Sequence, residues 1–281
     1  MIGFNHLGSL GRLGNQMFEF AALYGIATKH GYDWCIPPRT HKGIENYSLF
    51  EAFDIDGVTE KFIETDNLVG ERHFHFDEPL LNECPDNVSL WGFFQTEKYF
   101  KHVEDDIRKI YRFRNEFLEP CQDMMNRMDG EPIMLHVRRG DPNLTDPRGF
   151  KWAYTECSSQ HPPQPLEYYE KALAEFDDDQ PVIVFSDSTD WVQEQEIFKP
   201  DRFFISEPQE KYEDGSYTPY IDLCLMSLCS HAIIANSSMS WWGAWLIKNP
   251  NKKVIAPSMW FGSDYADKDT SDLYCEGWKV I

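Results

Sequence analysis

The chain has 281 residues, 42% hydrophobic and 15% aromatic, which is ample for a buried core and more than the common size of one domain, so two domains are expected. Its 47 acidic and 26 basic residues leave a net charge of −21, a surface that repels phosphate backbones and argues against a nucleic-acid partner. No apolar run approaches the roughly 18 residues of a membrane span, and residues 1–6 lack a basic stretch before a long apolar core, so neither a span nor a signal peptide is expected. The seven cysteines, Cys35, Cys84, Cys121, Cys157, Cys224, Cys229 and Cys275, are odd in number and form no CxxC pair. That argues against a disulfide framework or zinc site and fits reduced thiols in a cytoplasm.

Residues 2–7 read as a first strand leading into Gly8-Ser9-Leu10-Gly11-Arg12-Leu13-Gly14-Asn15-Gln16. Glycines at spacing three make a tight turn where backbone can approach a ligand. The spacing is not GxGxxG, which weakens an NAD-linked reading. From Asn15 an apolar stripe of Met17, Phe18, Ala21, Ala22, Tyr24 and Gly25 predicts a helix, closed by Lys29-His30-Gly31. Asn15 at its entry is either a plain N-cap or a donor to a ligand phosphate or sugar. Residues 32–130 are less periodic. A strand is expected within 90–94, a helix within 105–113, and a long loop over the site within 65–85. Asp54-Ile55-Asp56 has the Asp-x-Asp spacing of a metal site, but before Gly57 it reads as a turn. Asp129-Gly130-Glu131-Pro132 is a strong turn signal, and the boundary between domains 1–130 and 131–281 is expected there.

Beyond it, strands are expected at 133–137, 182–185, 203–205, 232–235 and 254–256, with helices at 166–176, 190–197, 220–228 and 239–247. Short apolar strands alternating with helices predict an α/β fold with a doubly wound parallel sheet, covered on both faces. Polar residues just past the strands converge on one edge: Arg138, Arg139 and Asp141, then Ser186 and Asp187, then Asn236, Ser237 and Ser238. In open sheets ligands bind outside the carboxyl ends of the strands. Two adjacent arginines there suit a diphosphate, because guanidinium is permanently charged and forks to match paired oxygens. The alternative is a solvated ion pair with Asp141. A serine at Ser237 or Ser238 would cap the following helix, and the same helix entry offers free N–H groups to an anion. Trp241, Trp242 and Trp245 recur at helical spacing and read as core. Asp222, among apolar neighbours, either accepts from guanine N1 and N2 or lies on an exposed face.

Four stretches in order carry a resemblance: Gly11-Arg12-Leu13-Gly14-Asn15-Gln16-Met17-Phe18, His136-Val137-Arg138-Arg139-Gly140-Asp141, Phe185-Ser186-Asp187, and Ile234-Ala235-Asn236-Ser237-Ser238-Met239-Ser240-Trp241-Trp242-Gly243-Ala244-Trp245-Leu246. Together they resemble the α-1,2-fucosyltransferases of glycosyltransferase family eleven. The resemblance implies a GT-B fold, two Rossmann-like domains with parallel sheets facing a cleft. Domain 1–130 would be the acceptor side and 131–281 the GDP-fucose side. It further implies GDP-β-L-fucose as donor, a galactose-terminated oligosaccharide as acceptor, and no required metal or other cofactor. By the same resemblance His136, Arg138 and Arg139 match the donor-binding HxRRxD motif, and Asn15 matches an asparagine that faces the reaction centre. Asp222 matches a residue that reads guanine, and Ser237 and Ser238 match residues on the phosphates. Asp187 and Asn236, from the convergent edge, join them as donor-binding candidates. The sequence departs from the family at Pro142, where tyrosine is common, at Met239, where phenylalanine is common, and at Glu19, where glutamine is common.

The chemistry agrees with that assignment. Breaking the sugar–phosphate bond builds negative charge on the pyrophosphate and oxocarbenium character on the sugar. Fixed positive charge on the leaving group stabilises that transition state. Arg138 and Arg139 can therefore replace a metal, and attack from the opposite face inverts the anomeric carbon. Asp141 is a candidate base, or it orients an arginine. A nucleotide-sugar or glycan-binding protein without catalysis is the alternative, and a cytoplasmic location is expected.

Overall fold

Parallel strands need a crossover to return the chain to the same end, and a helix usually supplies it. The computed structural model, which describes residues 1–39, 47–140, 158–206 and 219–281, forms two compact units. One comprises Met1–Arg114 with Lys268–Cys275, and the other Asn115–Asp267 with Glu276–Ile281. Each is built on one parallel sheet.

The first unit runs β1 (Ile2–Gly3), α1 (Leu13–His30), β2 (Trp34–Cys35), α2 (Ser48–Ala52), β3 (Leu68–Gly70), α3 (Glu78–Glu83), β4 (Ser89–Trp91) and α4 (Glu104–Ile110). The sheet order is β2-β1-β4-β3. Helix α1 closes where the sequence indicates: Gly31 adopts φ 67° and donates to the carbonyls of Ala27 and Thr28, the left-handed stop that glycine makes without strain. Residues 65–85 are not one long loop. They hold β3 and α3, elements of three and six residues that are too short to show a period. Asp77 fixes the start of α3 by accepting from Leu80 N at 3.2 Å. Asp54 and Asp56 are exposed ahead of Gly57, which has φ 70°. Asp54 lies 3.7 Å from Arg114.

Glu19, on α1, is fully buried, and neither carboxylate oxygen has a hydrogen-bond partner among the described residues. Burial first, then the charge of Glu71, holds its carboxyl well above the ordinary value near 4.5. The native state therefore keeps this proton while the unfolded chain releases it, so stability falls as pH rises above about 4.5. Glu19→Met, which removes an unpaired polar group of about 1–3 kcal/mol, is expected to raise the melting temperature. The gain should be larger at pH 7.5 than at pH 5 in calorimetric scans.

The second unit runs α5 (Asn115–Met125), β5 (Ile133–Val137), α6 (Leu166–Leu173), β6 (Val182–Ser186), α7 (Thr189–Glu194), β7 (Phe203–Ile205), α8 (Tyr220–Leu228), β8 (His231–Ile233), α9 (Ser238–Leu246), β9 (Val254–Ala256) and β10 (Lys279–Val280). Helix α5 precedes the turn at residues 129–132, yet it packs on α8. The Phe117 and Tyr220 rings are 4.7 Å apart, and the Cys121 thiol lies 3.9 Å from the Ile221 carbonyl. The compact units therefore divide after Arg114 rather than near residue 130.

The second sheet has the order β10-β9-β8-β5-β6-β7. The chain steps outward from β5 through β6 to β7, then crosses back to β8 and steps the other way. This is the doubly wound order of dinucleotide-binding folds, and its switch point lies between β5 and β8. Ile133, Leu135 and Val137 bury one face of β5 against Tyr169, Ala172 and Leu173 of α6. Met134 points to the opposite face, where a Cβ on Gly243 of α9 would lie 3.2 Å from its sulfur. Trp241 and Trp242 are fully buried and Trp245 nearly so. Their rings pack at 4.9 and 5.2 Å, so this stripe is core. The six cysteines among the described residues are free thiols, five of them buried. No helix among those residues is long and apolar enough to cross a membrane.

Candidate functional site

β5 is buried along its whole length and stops at Val137. The next two residues, Arg138 and Arg139, emerge half-buried at the carboxyl end of the sheet, on the β5 side of the switch point. β6 is paired with β5 through Val137↔Ser186 and delivers Asp187 beside them. The Asp187 carboxylate forms an ion pair with the Arg138 guanidinium, and it accepts from Arg139 N and Gly140 N at 3.0 Å each. Ser188 donates to Gly140 O at 2.8 Å, and its own N–H donates to Ser186 Oγ at 2.9 Å. One carboxylate and two serines thus fix the backbone of the arginine loop. Gly140, at φ 75°, makes the turn this needs.

The two arginines have different surroundings. Arg138 sits against Asp187, with only 18% of its side chain exposed. Arg139 lies over the ring of Trp191 on α7, 4.0 Å from its centroid, a cation–π contact that holds the guanidinium in place. Trp191 is a site neighbour that its sequence position, within an ordinary short helix, does not announce.

His136 is buried on β5. Burial first, then the Arg138 charge, pushes its pKa down to about 3. It is therefore neutral at physiological pH and binds by hydrogen bonding, not by charge. Its Nδ1 is buried with no partner among the described residues, an expensive state unless a ligand completes it. Because the native imidazole refuses a proton that the unfolded one accepts near pH 6.5, stability should decline as pH falls from about 6.5 toward 3. A carbon-13 NMR titration is expected to show the His136 ring signals unmoved between pH 5 and 8.

β8 neighbours β5 on the other side of the switch point and leads to Asn236, Ser237 and Ser238. Ser237 is the N-cap of α9, but its hydroxyl makes no capping hydrogen bond. Its carbonyl accepts from Trp241 N at 3.0 Å. The α9 entry thus keeps its positive dipole end at the carboxyl edge of the sheet. Asn236 is engaged within the unit. Its amide donates to Pro162 O at 2.9 Å and Trp260 O at 3.0 Å and accepts from Gln164 at 3.0 Å, so it ties loops together. Asp222, near the start of α8, accepts from Ser206 Oγ at 2.8 Å just past β7. Burial raises its pKa to about 6, against the Ser206 hydrogen bond. Asp141 lies outside the described residues.

Asn15 belongs to the first unit. It is not the N-cap of α1: Arg12 holds that position, and Asn15 is the third helical residue. Its Oδ1 accepts from Gln95 Nε2 at 2.9 Å. Gly11, at φ 75°, permits this approach, because a Cβ there would fall 2.5 Å from the Asn15 amide nitrogen. Among the described residues no group of three or more His, Cys, Asp or Glu side chains is placed to hold a metal ion.

Comparison with known proteins completes the picture. The model of glycosyl transferase family 11 matches residues 1–281. An O-antigen biosynthesis glycosyltransferase, WbnK of Escherichia coli, is 28% identical, covering 94% of this chain and 97% of its own. An alpha-1,2-colitosyltransferase of Escherichia coli is 27% identical, covering 89% and 90%. The galactoside alpha-(1,2)-fucosyltransferase 1 of Mus musculus is 24% identical over 84% of this chain, which spans 61% of that protein's length. Among solved structures, the fucosyltransferase NodZ from Bradyrhizobium superposes with a TM-score of 0.51 at 17% identity, covering 86% of this chain and 91% of NodZ. The likeness places the chain in the GT-B fold.

Proposed function

The chain belongs to glycosyltransferase family 11, a fucosyltransferase family, and on that premise we propose that it transfers L-fucose from GDP-β-L-fucose to the 2-hydroxyl of a galactoside. The transfer inverts the anomeric carbon and requires no metal. The observation that carries this reading is the arginine loop, held at the switch point of the doubly wound sheet by Asp187. Arg138 supplies permanent positive charge to the departing diphosphate, where a metal-dependent transferase uses a divalent cation. Arg139, stacked on Trp191, adds a second such charge. The α9 entry at Ser237 and Ser238 gives N–H groups to the phosphates. The unpartnered Nδ1 of His136 takes a hydrogen bond from the donor or gives one to it. Asp222 accepts from the guanine base. Asp187 and Asn236 serve the donor indirectly by holding loops. Asn15, in the first unit, offers its amide to the reacting sugars, and Asp141 orients the arginines.

The colitosyl relative makes the donor sugar the point to test. GDP-fucose and GDP-colitose are incubated with a panel of β-galactosides in EDTA, and products are assigned by NMR. Expected is an α-1,2-fucoside formed at an undiminished rate in EDTA. Transfer from GDP-colitose alone would replace the donor assignment. GDP binding with no transfer from either donor would favour the binding-protein alternative. The acidic surface and the free cysteines support a cytoplasmic enzyme acting on a soluble or lipid-linked glycan rather than on nucleic acid.

A further inference from the structure

The carboxyl edge of the first unit's sheet carries an acid that none of the motif residues accounts for. Glu71 directly follows β3. Its N–H donates to Trp91 O at 3.0 Å. Its Oε2 accepts from Phe93 N at 2.9 Å and Phe94 N at 2.8 Å, while Oε1 accepts no hydrogen bond among the described residues. The loop after β4 is shaped around this carboxylate. Gly92 has φ 141°, and a Cβ there would lie 2.7 Å from Glu71 Oε2. Phe94 takes φ 51°, an uncommon conformation for a bulky residue that calls for a compensating role. The next residue, Gln95, donates to Asn15. Glu71 therefore fixes the same short loop that fixes Asn15.

Beside the acid, two large rings are left open. Trp91 and Phe93 are each 39% exposed, and His6 packs edge-on against Trp91 at 4.3 Å. An aromatic face next to a half-buried hydrogen-bonding group suits a pyranose: the ring covers the apolar C–H face while the polar group takes a hydroxyl. The titratable and charged groups around Glu71 are Glu19 from α1, Tyr99, and Asp77 with its partner Arg72 and neighbour His73. Burial first raises the Glu71 pKa and the Asp77 charge adds to it. The two amide hydrogen bonds oppose them, and the result is about 7.

Resting on the transferase reading above, we propose that Glu71 takes the proton of the acceptor hydroxyl, with the acceptor sugar seated against Trp91 and Phe93. In that step the hydroxyl oxygen bonds to the anomeric carbon. The anomeric carbon–phosphate oxygen bond breaks, and its electron pair leaves with GDP. The hydroxyl proton passes to Glu71 Oε1 and is then lost to water. A base with a pKa near the working pH combines availability with proton affinity.

Glu71→Gln is the direct test, because glutamine can still accept from Phe93 N and Phe94 N while losing basicity. The wild-type kcat should fall as pH drops below about 7. In the variant, kcat should fall about 10²–10³-fold and lose that acid limb, with GDP-fucose KM and melting temperature unchanged. A variant with the wild-type kcat, or one that keeps the acid limb, would overturn the assignment. So would a wild-type kcat that is flat from pH 5.5 to 8.5, which needs no variant to read. Absence of transfer by the wild-type protein on every β-galactoside would remove the fucosyltransferase reading itself, and this assignment with it.

Discussion

Arg138→Ala is expected to lower kcat by about 10²–10³-fold, the effect of removing one preorganised charge aimed at a developing anion. The variant should melt close to the wild type. Asp187 loses its ion pair but still accepts from Arg139 N and Gly140 N, so the loop keeps its backbone anchors. Arg138→Lys should recover only part of the loss, because an ammonium carries the charge without the planar fork. Steady-state kinetics beside thermal melts distinguish this from a folding defect, which would lower both. An Arg138→Ala enzyme with full kcat would remove the arginine from the leaving-group role.

Gly25→Ala should be the most destabilising small substitution in the first unit. Gly25 lies on α1, where alanine is ordinarily the better helix former by about 1 kcal/mol. Here a Cβ would fall 2.2 Å from the Tyr99 carbonyl oxygen and 3.0 Å from Phe100 Cα. Both are backbone atoms, so no side chain can swing aside. His102 adds a constraint, since its ring nitrogen lies 3.0 Å from the Gly25 carbonyl. Overpacking of this kind costs about 1–3 kcal/mol or more. Urea denaturation should show a lowered midpoint. Because α1 begins at the Asn15 loop, a loss of transfer activity should accompany it. A neutral or stabilising result would mean that α1 can move off the segment at Tyr99.

Much of the second unit was legible in the sequence because its signals are local. The continuous apolar run at β5, the serine–aspartate step after β6 and the Trp-rich α9 each declare an element, and their order declares a parallel sheet. The stop of α1 at Gly31 was readable for the same reason. The first unit hid more. β2 and β3 have two and three residues, so alternation has no room to show. α3 is held by the Asp77 cap rather than by a long apolar stripe.

Side-chain roles were harder still. The sequence placed Asn15 at a helix entry, but its partner Gln95 is brought to it only by the fold. Asn236 stood among ligand candidates on the strength of its position, and the structure gives its amide three protein partners. Nothing around Glu71 marks it in one dimension. Its meaning comes from amides on another strand's loop and from burial that no local pattern encodes. Trp191 likewise becomes relevant only when Arg139 is laid over it.

The central claim is that the loop after β5 grips a diphosphate. Calorimetric titration of the full chain with GDP and with GMP tests it most directly. GDP should bind the wild type much more tightly than GMP, and in Arg138→Ala that preference should collapse while GMP affinity changes little. Equal affinity of the wild type for GDP and GMP would contradict the account.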